Sequence, residues 1–182
     1  LAQFRKITES LTHDFYSGLH VGRLLGELGR WEESEAQLRS CTKQRPFLPD
    51  AWYELGVVQA TSSNYLAALE QFDHVLRLQP KDFSSRLYRA RMLRMLLRQS
   101  EAIHEYRSLI QSEPARWEGH LELAELFAAN NQAAEAIPEY QAAVALNPRH
   151  PGIRLNLGVM LARQNLLDAA TDRKSTRLNS SH

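Results

Sequence analysis

Residues 50–82 read DAWYELGVVQATSSNYLAALEQFDHVLRLQPKD, and their spacing decides the fold. Trp52, Leu55, Gly56 and Gln59 recur at three- and four-residue intervals, which places them on one face of a helix. Ala68, Phe72 and Val75 do the same on a second helix. Between the two, Ser62, Ser63 and Asn64 favour a turn, because their side chains hydrogen-bond the local backbone. Pro80 has no N–H and cannot continue the second helix. Small Gly56 and Ala68 let the two backbones approach, while Trp52 and Phe72 fill the space around them. The unit is a helix hairpin.

One hairpin cannot bury its own apolar faces, so the reading requires repetition. A shift of 34 residues aligns Pro46, Pro80, Pro114 and Pro148. The small slot of the first helix recurs as Gly22, Gly56, Ala90, Ala124 and Gly158. That of the second recurs as Ser34, Ala68, Ala102, Ala136 and Ala170, and the large slot reads Leu38, Phe72, Tyr106 and Tyr140. Four registers agree on one period. The order Trp52-x2-Leu55-Gly56, then Ala68-x3-Phe72, then Pro80 resembles the tetratricopeptide repeat (TPR) signature. Gln59 departs from it, standing where the family pattern has tyrosine. The resemblance implies an all-α fold, an α-solenoid of stacked antiparallel helix hairpins wound into a right-handed superhelix.

The register divides the chain. Residues 15–48, 49–82, 83–116 and 117–150 are four whole repeats, and residues 151–171 are a truncated fifth. Residues 1–14, with Phe4, Ile7 and Leu11 at helical spacing, read either as the remnant of a preceding repeat or as an extra helix. Residues 83–116 diverge most: Arg86 and Arg89 replace Trp and Leu, and Leu97 takes the turn position. Asn130 and Asn131 make the turn of the next repeat, and Pro138 is expected near the start of its second helix, where a missing N–H costs least. Residues 172–182, DRKSTRLNSSH, break every periodic slot and look like a translated sequencing adapter, so they are expected to be a non-native scar.

Composition excludes several classes. Hydrophobic residues at 43% and charged residues at 24% are ordinary for a globular chain. No apolar run approaches the roughly 18 residues needed to span a bilayer, so no membrane insertion is expected. Net charge is +1; removing three bases (Arg173, Lys174, Arg177) and one acid (Asp172) with the scar leaves 19 bases against 20 acids. No polyanion-binding signal remains, and nucleic acid is not an expected partner. The single cysteine, Cys41, shares a slot with Val75, Leu109 and Ala143 and reads as a buried apolar thiol.

No constellation carries chemistry. The seven histidines lack metal-ligand spacing, and there is no glycine-rich phosphate loop or nucleophile elbow. No enzyme activity, metal or cofactor is expected. The TPR resemblance instead implies a concave groove, lined by first helices, that binds a protein or peptide. The face opposite the packing face carries Leu19, His20 and Arg23; Tyr53, Glu54 and Val57; Leu87, Tyr88, Arg91 and Arg94; Leu121, Glu122 and Glu125; Leu155, Asn156 and Val159. An apolar column, Leu19–Tyr53–Leu87–Leu121–Leu155, runs along it, either to meet a ligand or to pack neighbouring first helices together. The Lys/Asn/Arg clamp of chaperone-binding TPRs is absent, and of the asparagine ladder of sugar-transferase TPRs only Asn156 fits. The expected function is a protein–protein interaction scaffold; the alternative is a regulatory or substrate-recruiting TPR segment of a larger, for example glycosyltransferase-like, enzyme.

Overall fold

A computed structural model describes the backbone of residues 2–179 and the side chains of residues 14–165. Among the described residues there are nine helices and no strand: α1 (Ala2–Glu27), α2 (Trp31–Gln44), α3 (Pro49–Thr61), α4 (Tyr65–Leu78), α5 (Phe83–Met95), α6 (Gln99–Ser112), α7 (Trp117–Ala129), α8 (Ala133–Leu146) and α9 (Pro151–Asn179). The fold is an all-α solenoid of helix hairpins. It divides into two compact units, one ending at Glu101 and the other starting at Ala102. In the first, α1 pairs with α2 and α3 with α4, while α2 packs on α3 and α4 on α5. In the second, α7 pairs with α8, which packs on α9. No described helix is long and apolar enough to cross a membrane.

The period seen in the sequence is a period of backbone conformation. Each turn inside a hairpin holds one residue at positive φ: Gly29 (74°), Ser63 (64°), Leu97 (60°) and Asn131 (58°), each 34 residues from the next. Each proline acts on the residue before it, whose α conformation would clash with the ring. Arg45, Gln79 and Asn147 accordingly close α2, α4 and α8 with φ between −137° and −134° and ψ between 74° and 80°.

The small slots bring the helices together. A methyl group on Gly22 would lie 2.6 Å from Leu38 Cγ, and one on Gly56 would lie 3.0 Å from Phe72 Cζ. Ala68, Ala90, Ala102, Ala124 and Ala136 are all fully buried. Ser34 fills the same slot as Ala68 and donates its hydroxyl proton to the Gly22 carbonyl at 2.6 Å, so its polarity is satisfied inside the core. Leu38, Leu55 and Val58 form one core cluster, and Phe15, Cys41 and Ala51 form another.

Three features differ from the periodic expectation. First, α1 runs unbroken across the boundary expected at residue 14. Thr12 occupies the slot that holds Pro46, Pro80, Pro114 and Pro148, so nothing there stops a helix. Second, α9 continues through Asn165, the residue in register with Gly29, Ser63, Leu97 and Asn131. The slots that would draw a second helix back hold Lys174 and Arg177, where earlier repeats have Tyr140 and Ala143. Without an apolar face to bury, the costly positive-φ turn has nothing to offset it. Gly158 accordingly has open space around it, unlike Gly22 and Gly56. Third, Pro138 is the sixth residue of α8, inside the helix rather than in its first turn. The side chains of Phe4, Ile7, Leu11 and residues 172–182 lie outside those described, as does all of residues 180–182.

Candidate functional site

In the first unit, α3 buries Leu55, Gly56 and Gln59 and turns Tyr53, Glu54 and Val57 the other way, where they are half-buried. Gln59 shows what the missing tyrosine does: its amide donates to Glu35 Oε2 at 3.2 Å, while its own carbonyl oxygen is buried without a partner. Tyr53 is held by rings on two other helices. Its ring meets Phe72 of α4 edge-on at 5.9 Å and Tyr88 of α5 edge-on at 5.7 Å, and Phe72 and Tyr88 stack at 5.1 Å. The Arg91 guanidinium lies over the Tyr88 ring at 5.2 Å. The patch is therefore rigid, since each ring is fixed by another from a different helix.

Beside Tyr53 opens a cleft of about 350 Å³ formed by α1, α3, the end of α4 and the start of α5. Leu19, Asp50, Tyr53, Glu54, Asp82 and Ser85 are among its walls. Burial pushes the Tyr53 phenol up to about 12, with Tyr88, Asp82 and Glu54 adding to the effect. It stays neutral at any physiological pH. Burial also raises the Glu54 carboxyl; Asp50 and Glu27 push the same way and Arg23 opposes them. Asp82 caps α5, accepting from the Ser85 N–H at 2.7 Å, whereas the Ser85 hydroxyl is fully buried without a partner. Asp50, Asp82 and Ser85 were not singled out in the sequence, although Asp82-x-x-Ser85 ahead of an apolar run is a capping signal that could have pointed to the cleft wall.

The other expected groove residues divide by burial. Leu87 is only 7% exposed and packs rather than lines a surface. Leu19 is half-buried and touches both core clusters of the unit. Arg23 is exposed and donates to His20 Nδ1 at 3.0 Å. Arg91 and Arg94 are half-buried. In the second unit Glu122 is 5% exposed and its carboxylate accepts from the Tyr106 hydroxyl at 3.3 Å, which draws it into the hairpin interior. Leu121, Glu125 and Asn156 are half-buried, and Leu155 and Val159 are exposed.

Among the described residues no group of histidine, cysteine or carboxylate side chains is placed to hold a metal ion. Cys41 is buried, with its thiol 3.9 Å from the Phe15 carbonyl, and burial pushes its pKa up, so it stays protonated and unreactive.

Comparison with known proteins rests on this geometry. The chain resembles a solved structure of MamA from Desulfovibrio magneticus RS-1, with 22% identity, a TM-score of 0.72, and coverage of 93% of this chain and 97% of that one. Pseudomonas aeruginosa PilF is similar at 19% identity and a TM-score of 0.73, over 90% of this chain and 74% of its own. YrrB, described as a TPR protein with an unusual peptide-binding site, is similar at 19% identity and a TM-score of 0.64, over 89% and 84%. No curated protein sequence matches. The family model for the tetratricopeptide repeat matches residues 22–83, 96–151 and 121–172. The chain belongs to the tetratricopeptide repeat family.

Proposed function

We propose that the chain is a protein-interaction scaffold that holds a peptide or protein segment against the outward face of its first helices. The observation that carries this reading is the ring-locked Tyr53–Tyr88 pair bordering an open cleft. Rigid aromatic side chains lose little conformational freedom on binding and dominate interface energetics, so a pre-fixed pair beside a concavity suits a binding hot spot. Glu54, Val57, Arg23, Arg91 and Arg94 surround it in the first unit. Leu121, Glu125 and Asn156 offer the corresponding face in the second. Leu87 and Glu122 support these surfaces from within and do not themselves meet the ligand. YrrB, a TPR protein with a peptide-binding site, supports the reading by analogy.

The test is positional. A peptide is selected from a display library on the full chain, and a photo-crosslinking residue is then installed at Val57 or, separately, at Leu66, which is exposed on α4. Capture from Val57 and not from Leu66 is expected. Tyr53→Ala should weaken the same peptide by about tenfold or more, the range for a hot-spot aromatic. Capture from Leu66 alone would move the site to the second helices and overturn the proposal.

A further inference from the structure

Resting on that peptide-binding reading, we propose that the cleft beside Tyr53 takes an arginine side chain of the bound segment. Every charged residue in its wall is acidic: Asp50, Glu54 and Asp82. The Ser85 hydroxyl stands at the same wall, fully buried and without a partner, able to accept a further N–H. A buried polar group left unpaired costs free energy, so this position favours an incoming donor. Burial and the neighbouring Asp50 and Glu27 make an ionised Glu54 unfavourable, and a bound cation would reverse that.

The shape of the cation follows from the spacing. Among the described residues no acidic cluster converges closely enough for a metal ion, so the carboxylates suit an extended organic cation that reaches several of them at once. A guanidinium is planar, presents five donors and stacks on aromatic faces, whereas an ammonium is a compact and strongly hydrated charge. Tyr53 supplies an aromatic wall, and the pairing of Arg91 with Tyr88 shows the same contact already made next door. A cleft of about 350 Å³ admits a long side chain.

The experiment uses the full chain and a display-selected peptide captured from Val57. Its arginine is replaced by citrulline, which keeps the shape and removes the charge. Affinity should fall by about tenfold or more on the unaltered protein, the scale of a charge-assisted contact. On a chain carrying Asp50→Asn and Glu54→Gln the two peptides should bind nearly alike. Glu70→Gln, an exposed acid on α4, should leave the preference intact and so exclude a general charge effect. Equal binding of arginine and citrulline peptides, or the same loss on both proteins, overturns the inference. Peptides captured from Val57 that carry no arginine overturn it while leaving the peptide-binding reading standing. Capture from Leu66 alone defeats both.

Discussion

At the scale of single residues, the chain separates small side chains that let helices touch from polar ones kept despite a cost. Glu54 is of the second kind. Its carboxyl is raised by burial first, then by Asp50 and Glu27 against Arg23. A carboxyl whose folded pKa lies above its unfolded value binds its proton more tightly when folded. Its ionisation therefore subtracts stability as pH rises through the window between the unfolded and folded values, and the loss is complete above it. Glu54→Gln should accordingly raise the melting temperature at neutral pH and change it little below the unfolded carboxylate range. Melts at the two pH values check this; equal shifts at both would show that burial of the charge is not the cause. Burial at this resolution was only half legible in sequence. Tyr53 and Glu122 sit in neighbouring slots of the same outward arc, yet Glu122 turns inward because Tyr106, 16 residues earlier, offers it a hydroxyl. No periodic pattern announces a pairing of that kind.

At the scale of elements, what the sequence shows best is where helices stop. The prolines at 46, 80, 114 and 148 mark the ends of second helices, and the serine and asparagine turns mark those of the first. Leu97 was harder to read, because it adopts the same positive φ as Gly29 without the chemistry that favours it. Its side chain is 80% exposed, so no packing compensates the left-handed backbone. Leu97→Gly should therefore stabilise the chain by about 1 kcal/mol, the strain of that conformation for an ordinary residue. A denaturant midpoint that falls instead would show that Leu97 is held by contacts made through its side chain. Pro138 is the matching case inside a helix. As the sixth residue of α8 it removes the N–H that would bond the Ala134 carbonyl, and its side chain is exposed. Pro138→Ala should add about 1–3 kcal/mol, read from the same kind of unfolding curve. The unbroken α1 and α9 follow the same logic in reverse: Thr12 is no proline, and Lys174 and Arg177 offer no face to fold back.

At the scale of the whole molecule, a repeat array has no common centre, and each hairpin is supported by its immediate neighbours. The helix pairs that touch are sequence neighbours almost throughout: α3 with α4, α2 with α3, α4 with α5, and separately α7 with α8 and α8 with α9. A lesion should therefore stay local. Ala68 is fully buried on α4, in the hairpin where Phe72 and Gln71 crowd Gly56 of α3. Ala68→Leu should overpack that contact and cost about 1–3 kcal/mol. Because the strain falls between α3 and α4, amide exchange should speed up first in those two helices and then in α2 and α5, which pack on them. Protection in α7 and α8, which belong to the other compact unit, should change far less. A uniform loss of protection from α2 to α8 would mean that the chain unfolds as one cooperative body, and that the nearest-neighbour description does not hold for it. A loss confined to α3–α5 would also leave the cleft beside Tyr53 disordered, so peptide capture from Val57 should fall in the same variant while the second unit stays folded.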